Sequence, residues 1–134
     1  MKKTMIQPSA ISIGASTQSV VSTAVTTTST TSFTTVNSVS ITPKGSGKIY
    51  IGISMFVSNN TAGDGVSVQF AINGTPVITQ SFISSAADQT QQFSFSYIYV
   101  GTPGTAVNIT TGIEAVTGGT ASATGNVVAY ELIN

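Results

Sequence analysis

Apolar and polar residues alternate along most of this chain with the period of two that a half-buried β-strand imposes. Ile49, Ile51, Ile53, Met55 and Val57 interleave with Tyr50, Gly52, Ser54 and Phe56, and Val66, Val68, Phe70 and Ile72 with Ser67, Gln69 and Ala71. Phe93, Phe95, Tyr97 and Tyr99 share one face, with Ser94 and Ser96 opposite; Val107, Ile109, Thr111 and Ile113 form a further strand, and Val128, Tyr130 and Leu132 the last. Turn-forming clusters separate these runs: Pro43 to Gly47, Asn59 to Gly65, Asn73-Gly74, Ser84 to Asp88, Gly101 to Gly104 and Gly118 to Gly125. Asn-Gly between two strands is a strong hairpin signal, because both residues accept positive φ. No segment keeps a helical period. About seven or eight short strands with turn signals between them predict an all-β chain, an antiparallel β-sandwich of jelly-roll type.

The pattern is firm from Val36 onward and weaker before it, so the chain divides into residues 1–35 and a jelly-roll body over 36–134. The first part is rich in Ser and Thr, with Thr26 to Thr35 reading TTTSTTSFTT and only Val20, Val21, Val25 and Phe33 as apolar anchors. Threonine is β-branched and favours extended backbone, so this stretch reads as an extended N-terminal arm or a first strand. An arm of this kind would cross a neighbouring subunit or dock on a scaffold.

Composition narrows the function. Apolar residues make up 40% of the 134 residues and charged residues only 6%, against about 25% in ordinary domains. Lys2, Lys3, Lys44, Lys48, Asp64, Asp88, Glu114 and Glu131 are the whole charge inventory, with no His, Cys or Trp. Without His or Cys, the usual ligands of zinc, copper, haem and iron–sulfur groups are missing, and no cofactor or metal is expected. A Ser-His-Asp site is impossible. A Ser–Lys pairing is open in form only, since Lys44 and Lys48 sit beside Gly45 and Gly47 in a turn. Four lysines at net charge zero offer no basic patch for nucleic acid. No apolar run approaches the ~20 residues of a membrane span, so membrane insertion is not expected. Met1-Lys2-Lys3 could open a signal peptide, but Thr4 to Ser16 is broken by Gln7, Pro8, Ser9 and Ser12. The reading is non-enzymatic.

Individual polar residues have plain explanations. Asp64 lies in a Gly-flanked loop with oxygen donors around it, yet calcium usually takes more than one carboxylate, and a turn-forming Asp is the simpler reading; Asp88 reads the same way. Glu114 and Asp64 as a glycosidase pair lack cleft aromatics such as Trp. Asn59, Asn73 and Asn108 each begin an Asn-x-Thr sequon in a chain rich in both residues. Glu131 stands in an apolar strand, pointing outward to solvent or else paired across an interface, with Lys48 as the candidate partner, because an unpaired buried carboxylate is costly.

The order of features from Lys44 to Asn134 resembles the small jelly-roll domains of phage and archaeal-virus structural proteins, whose fold is that of the tumour-necrosis-factor-like heads. GKIYIGIS at 47–54 resembles their entry strand, FAINGT at 70–75 their hairpin, SFSY at 94–97 with TPGT at 102–105 the strand and turn before the penultimate strand, and NVVAYEL at 126–132 the terminal strand. The resemblance covers about two-thirds of the chain and implies a homotrimer with the terminal strand near its axis, and no catalytic residue. The loops here are mostly Gly, Ser, Thr and Ala, which departs from receptor-binding heads and favours a decorating, spike-base or shell role.

The expected function is thus a virion structural protein that self-associates and contacts other virion subunits. Phe33, Tyr97, Tyr99, Tyr130 and Leu132 are the candidate interface residues, aromatics being enriched at such contacts. The alternative is a subunit of a prokaryotic cell-surface filament that polymerises by strand donation. A carbohydrate-binding module, or a glycan receptor engaged through exposed tyrosines, is the third reading.

Overall fold

In the computed structural model, which describes residues 13–132, the alternating segments become eight antiparallel strands. They are β1 (Ile13–Thr27), β2 (Thr34–Ile41), β3 (Lys48–Asn59), β4 (Gly65–Ile72), β5 (Thr75–Ile83), β6 (Gln91–Val100), β7 (Val107–Val116) and β8 (Ala121–Leu132). Residues 1–12 of the expected arm and residues 133–134 lie outside the described part; residues 13–27 form β1.

The strands fill two sheets of four, in the orders β1-β8-β3-β6 and β2-β7-β4-β5. Within them β1 pairs with β8, β2 with β7, β3 with β6 and β4 with β5, all antiparallel. A chain folded back on itself about the β4–β5 turn would make these four pairs. Rolling that ribbon adds the β3–β8 and β4–β7 ladders and stacks the halves face to face. The wrapping is that of a jelly roll. The β4–β5 turn is the predicted Asn-Gly: Asn73 has φ 51° and Gly74 φ 79°, both in the left-handed region that a tight hairpin turn requires.

One face of each strand makes the core. Ile49, Ile51, Met55, Val57 and Val127 from one sheet meet Val66, Val68, Phe70, Ile109 and Ile113 from the other, all fully buried or nearly so. Ser, Thr, Asn and Gln recur on the opposite faces, interspersed with aromatics such as Tyr50, Phe56 and Tyr130 and with few charges.

Two polar side chains are set inside. Between Thr35 and Asn37 the register of β2 on β7 shifts, and this bulge turns both Val36 and Asn37 inward. Asn37 Nδ2 donates to Ser19 Oγ of β1 at 3.0 Å and to the Gly125 carbonyl of β8 at 3.2 Å, while its Oδ1 accepts from the Thr111 hydroxyl at 3.0 Å. A Cβ on Gly125 would collide with that Oδ1. Asn37 thereby ties β1, β8 and β7 to β2 on one side of the sandwich. Asn37→Ala leaves these partners unmatched, so urea denaturation is expected to show a loss of about 1–3 kcal/mol.

Glu131 corrects the sequence reading. It neither faces solvent nor pairs with Lys48. Residues 127, 129 and 131 share one strand face, and that face is the core; Glu131 is fully buried. Its carboxylate accepts from the backbone N–H groups of Lys44 and Gly45, each at 2.8 Å, and of Gly47 at 3.0 Å. Successive N–H groups cupped in this way form an anion-binding nest, and they replace the water that the carboxylate gives up. The N–H groups of Lys44 first, then Gly47, hold the carboxyl below the ordinary glutamate range, against the upward push of burial. Among the described residues no buried side-chain N or O lacks a partner.

Candidate assembly interface

A sandwich that is not a closed barrel has four edge strands, here β1 and β6 in one sheet and β2 and β5 in the other. Each presents a row of backbone N–H and C=O groups that can pair with another chain unless it is blocked. Three of the four carry a block. The register of β1 shifts twice, between Ile13 and Ser16 and between Val21 and Val25. β2 carries the bulge at Asn37 and is tied to β1 through Ser19. β5 contains Pro76, beside a shift opposite Phe70 and Ala71.

β6 carries neither a bulge nor a proline, and its one side-chain bond to the neighbouring edge, from Gln91 Nε2 to the Ile83 carbonyl at 3.1 Å, lies at its first residue. It runs in unbroken register along β3 from Gln91↔Val57 to Val100↔Lys48, and its sequence QQFSFSYIYV has no charge, proline or glycine. Among the described residues it pairs with β3 alone. Its aromatics stack as a ladder on the inner face, Phe93 on Phe95 with centroids 6.2 Å apart and Phe95 on Tyr97 at 6.3 Å. The ladder opens outward along the strand: Phe93 is buried, Phe95 half-buried, and Tyr97 exposed. Beyond it an open groove of about 570 Å³ is lined by Tyr97 and Tyr99 on one side and by Ile72, Asn73 and Thr75 to Val77 on the other.

The five candidate interface residues go to three places. Tyr97 and Tyr99 lie together on the inner side of β6, at the groove. Tyr130 and Leu132 lie on the outer face of β8, where the Tyr130 ring is 5.0 Å from Tyr50 of the neighbouring strand. Phe33 precedes β2 and packs against Gly112 of β7. Pattern reading passed over Ile98 and Val100, on the other face of β6, which are 56% and 67% exposed. The signal was present, since from Tyr97 to Val100 both faces of the strand are apolar.

The polar groups are engaged structurally. Asp64 accepts from the Thr117 hydroxyl at 2.6 Å in a loop whose Ser84 N–H also bonds the Asp64 carbonyl. Glu114 sits on the outward face of β7, opposite Ser67. Asn59 is buried and donates to the carbonyls of Gly65 and Gly118, which leaves no room for a glycan there. Among the described residues no three His, Cys, Asp or Glu side chains come together as metal ligands, and no helix is long and apolar enough to cross a membrane, which says nothing of a β-barrel.

No family model and no curated protein matches the sequence. Solved structures do match in fold. VP2 of infectious bursal disease virus, in the crystal structure of its subviral particle, is similar over 87% of this chain with a TM-score of 0.58 and 14% identity. The Gx strain of the same virus gives 0.59 over 98% at 13% identity. Dimeric latent PorU from Porphyromonas gingivalis gives 0.54 over 95% at 12%. A protein of the disulfide-linked pili of Bacillus endospore appendages aligns over 96% of this chain and 99% of its own, at a TM-score of 0.49 and 17% identity. The chain spans about a third of the viral proteins it matches, 32% and 36%, and 14% of PorU. At these identities the likeness establishes the fold alone, a two-sheet antiparallel β-sandwich.

Proposed function

We propose that the protein is a non-enzymatic structural subunit of a virion, acting as a capsid, decoration or spike component through contacts between its β-sheets. The observation that carries this reading is the jelly roll completed entirely by the chain's own strands and left with an unblocked, uncharged edge. Its likeness to the fold in a viral particle supports the same reading. Among the described residues each sheet has four strands of the chain's own, which favours contacts between completed subunits over the donation of a missing strand along a filament. The resemblance of the terminal segment to phage and archaeal-virus domains adds a three-fold contact near β8 to this proposal, and the virion as its location.

Electron microscopy of the purified protein tests it. Symmetric oligomers or shells are expected, together with antibody labelling of particles from the source. A monodisperse monomer that labels no particle at high concentration would falsify the reading.

A further inference from the structure

We propose that the free edge of β6 pairs with β6 of a second copy, antiparallel about a two-fold axis, joining two four-stranded sheets into one continuous sheet. This rests on the self-association in the reading above and names its surface. Register shifts or a proline interrupt the edges of β1, β2 and β5, whereas β6 is regular throughout. A subunit with one open edge has only the same edge on another copy as an equivalent partner. Such a contact is isologous and closes at two, whereas a contact between two different edges would propagate.

Chemistry favours self-pairing over a foreign strand. In an antiparallel pair every residue near the axis meets itself or a close neighbour, so one charge on β6 would face its own copy and repel it. β6 has none. With the axis at Ser96, Phe95 falls opposite Tyr97 and Ser94 opposite Ile98, so the aromatic ladder of one copy continues into the other. The apolar groups left exposed on this strand, Tyr97 at 36%, Ile98 at 56% and Val100 at 67%, all lie within the stretch that pairing would cover. Residues 1–12 fit the edge less well, because Pro8 cannot donate to a ladder.

The chain has no cysteine, so Ser96→Cys introduces a single thiol at the proposed axis. Oxidation is expected to trap a covalent species of twice the chain mass, while Ser22→Cys on β1 gives none. Ser96→Lys and Ser96→Glu are each expected to halve the mass of the smallest assembly in native mass spectrometry, with the β-sheet circular dichroism spectrum unchanged. Mixing the two variants is expected to restore the original mass, which a folding defect could not do. The proposal is overturned if Ser96→Lys leaves the assembly mass intact, or if deletion of residues 1–12 halves it and Ser96→Lys does not. A two-fold dimer that never enters a particle would keep this inference and sink the virion reading. Particles that form with Ser96→Lys unimpaired would do the reverse.

Discussion

Phe70→Ala is expected to lower the free energy of unfolding by about 3–5 kcal/mol, the range for deleting a buried aromatic ring. Phe70 is fully buried in β4 at the centre of the sandwich. Its ring lies 5.8 Å from Phe95 and 6.0 Å from Tyr97, tilted by 56° and 70°, so it is the floor on which the β6 ladder stands. Domains of this kind hold only about 5–15 kcal/mol in all, which makes the loss a large share of the total. Urea denaturation measures it. Phe70→Leu retains most of the volume and should cost about 1.5 kcal/mol or less. Near-ultraviolet circular dichroism gives a second readout, because removing Phe70 frees the Tyr97 ring. An unchanged aromatic signal together with a loss under about 1 kcal/mol would mean that the ladder does not rest on this residue.

Glu131→Ala should have the second large effect, lowering the melting temperature by on the order of 10 °C. Three N–H groups of the β2–β3 loop lose their acceptor together, and the core gains a cavity. Glu131→Gln keeps the shape but turns an acceptor into an NH₂ that faces donors, so it should recover only part of the loss. The nest also gives the protein a pH dependence. Because the folded-state pKa lies below the unfolded one, the stabilisation is fully present above the unfolded value of about 4.3. It is lost as the pH falls through the lower, folded value. Melting curves of Glu131→Gln against the native chain should therefore differ most at about pH 5–7 and converge in stronger acid. A constant difference across the acid range would show that Glu131 acts by packing alone.

Much of the fold is legible in the chain because a period of two says which residues of a strand share a face. Ile49 to Val57, Val66 to Ile72 and Val107 to Ile113 are buried as their alternation requires, and the Asn73-Gly74 turn has the backbone its residues favour. Alternation does not say which strands stand at an edge. Tyr97 and Ile98 are exposed because β6 ends its sheet, and that depends on pairings with β3, more than forty residues upstream (Ile51↔Tyr97). The same limit hid the role of Glu131, whose partners lie 84–87 residues earlier in the chain. Its face was readable from Val127 and Ala129; the reason a carboxylate could be tolerated there was not. The bulge at Val36 and Asn37 is a third such case, since one inserted residue reverses the phase of the pattern locally. The candidate interface scattered for the same cause: aromatic character is a local property, and a shared surface is not.

The pairing of β1 with β8 sets a schedule for folding. β1 is made first and its only ladder partner, among the described strands, is made last. At roughly 5–20 residues per second the ribosome takes several seconds to cover the distance from Thr27 to Leu132. Throughout that time β1 has no strand to pair with, and β3 is open on the side where β8 belongs. Few local contacts can form early in such a topology, so folding should be slow and should wait until β8 has been made. The low charge of the sequence leaves the nascent chain without electrostatic protection during this interval.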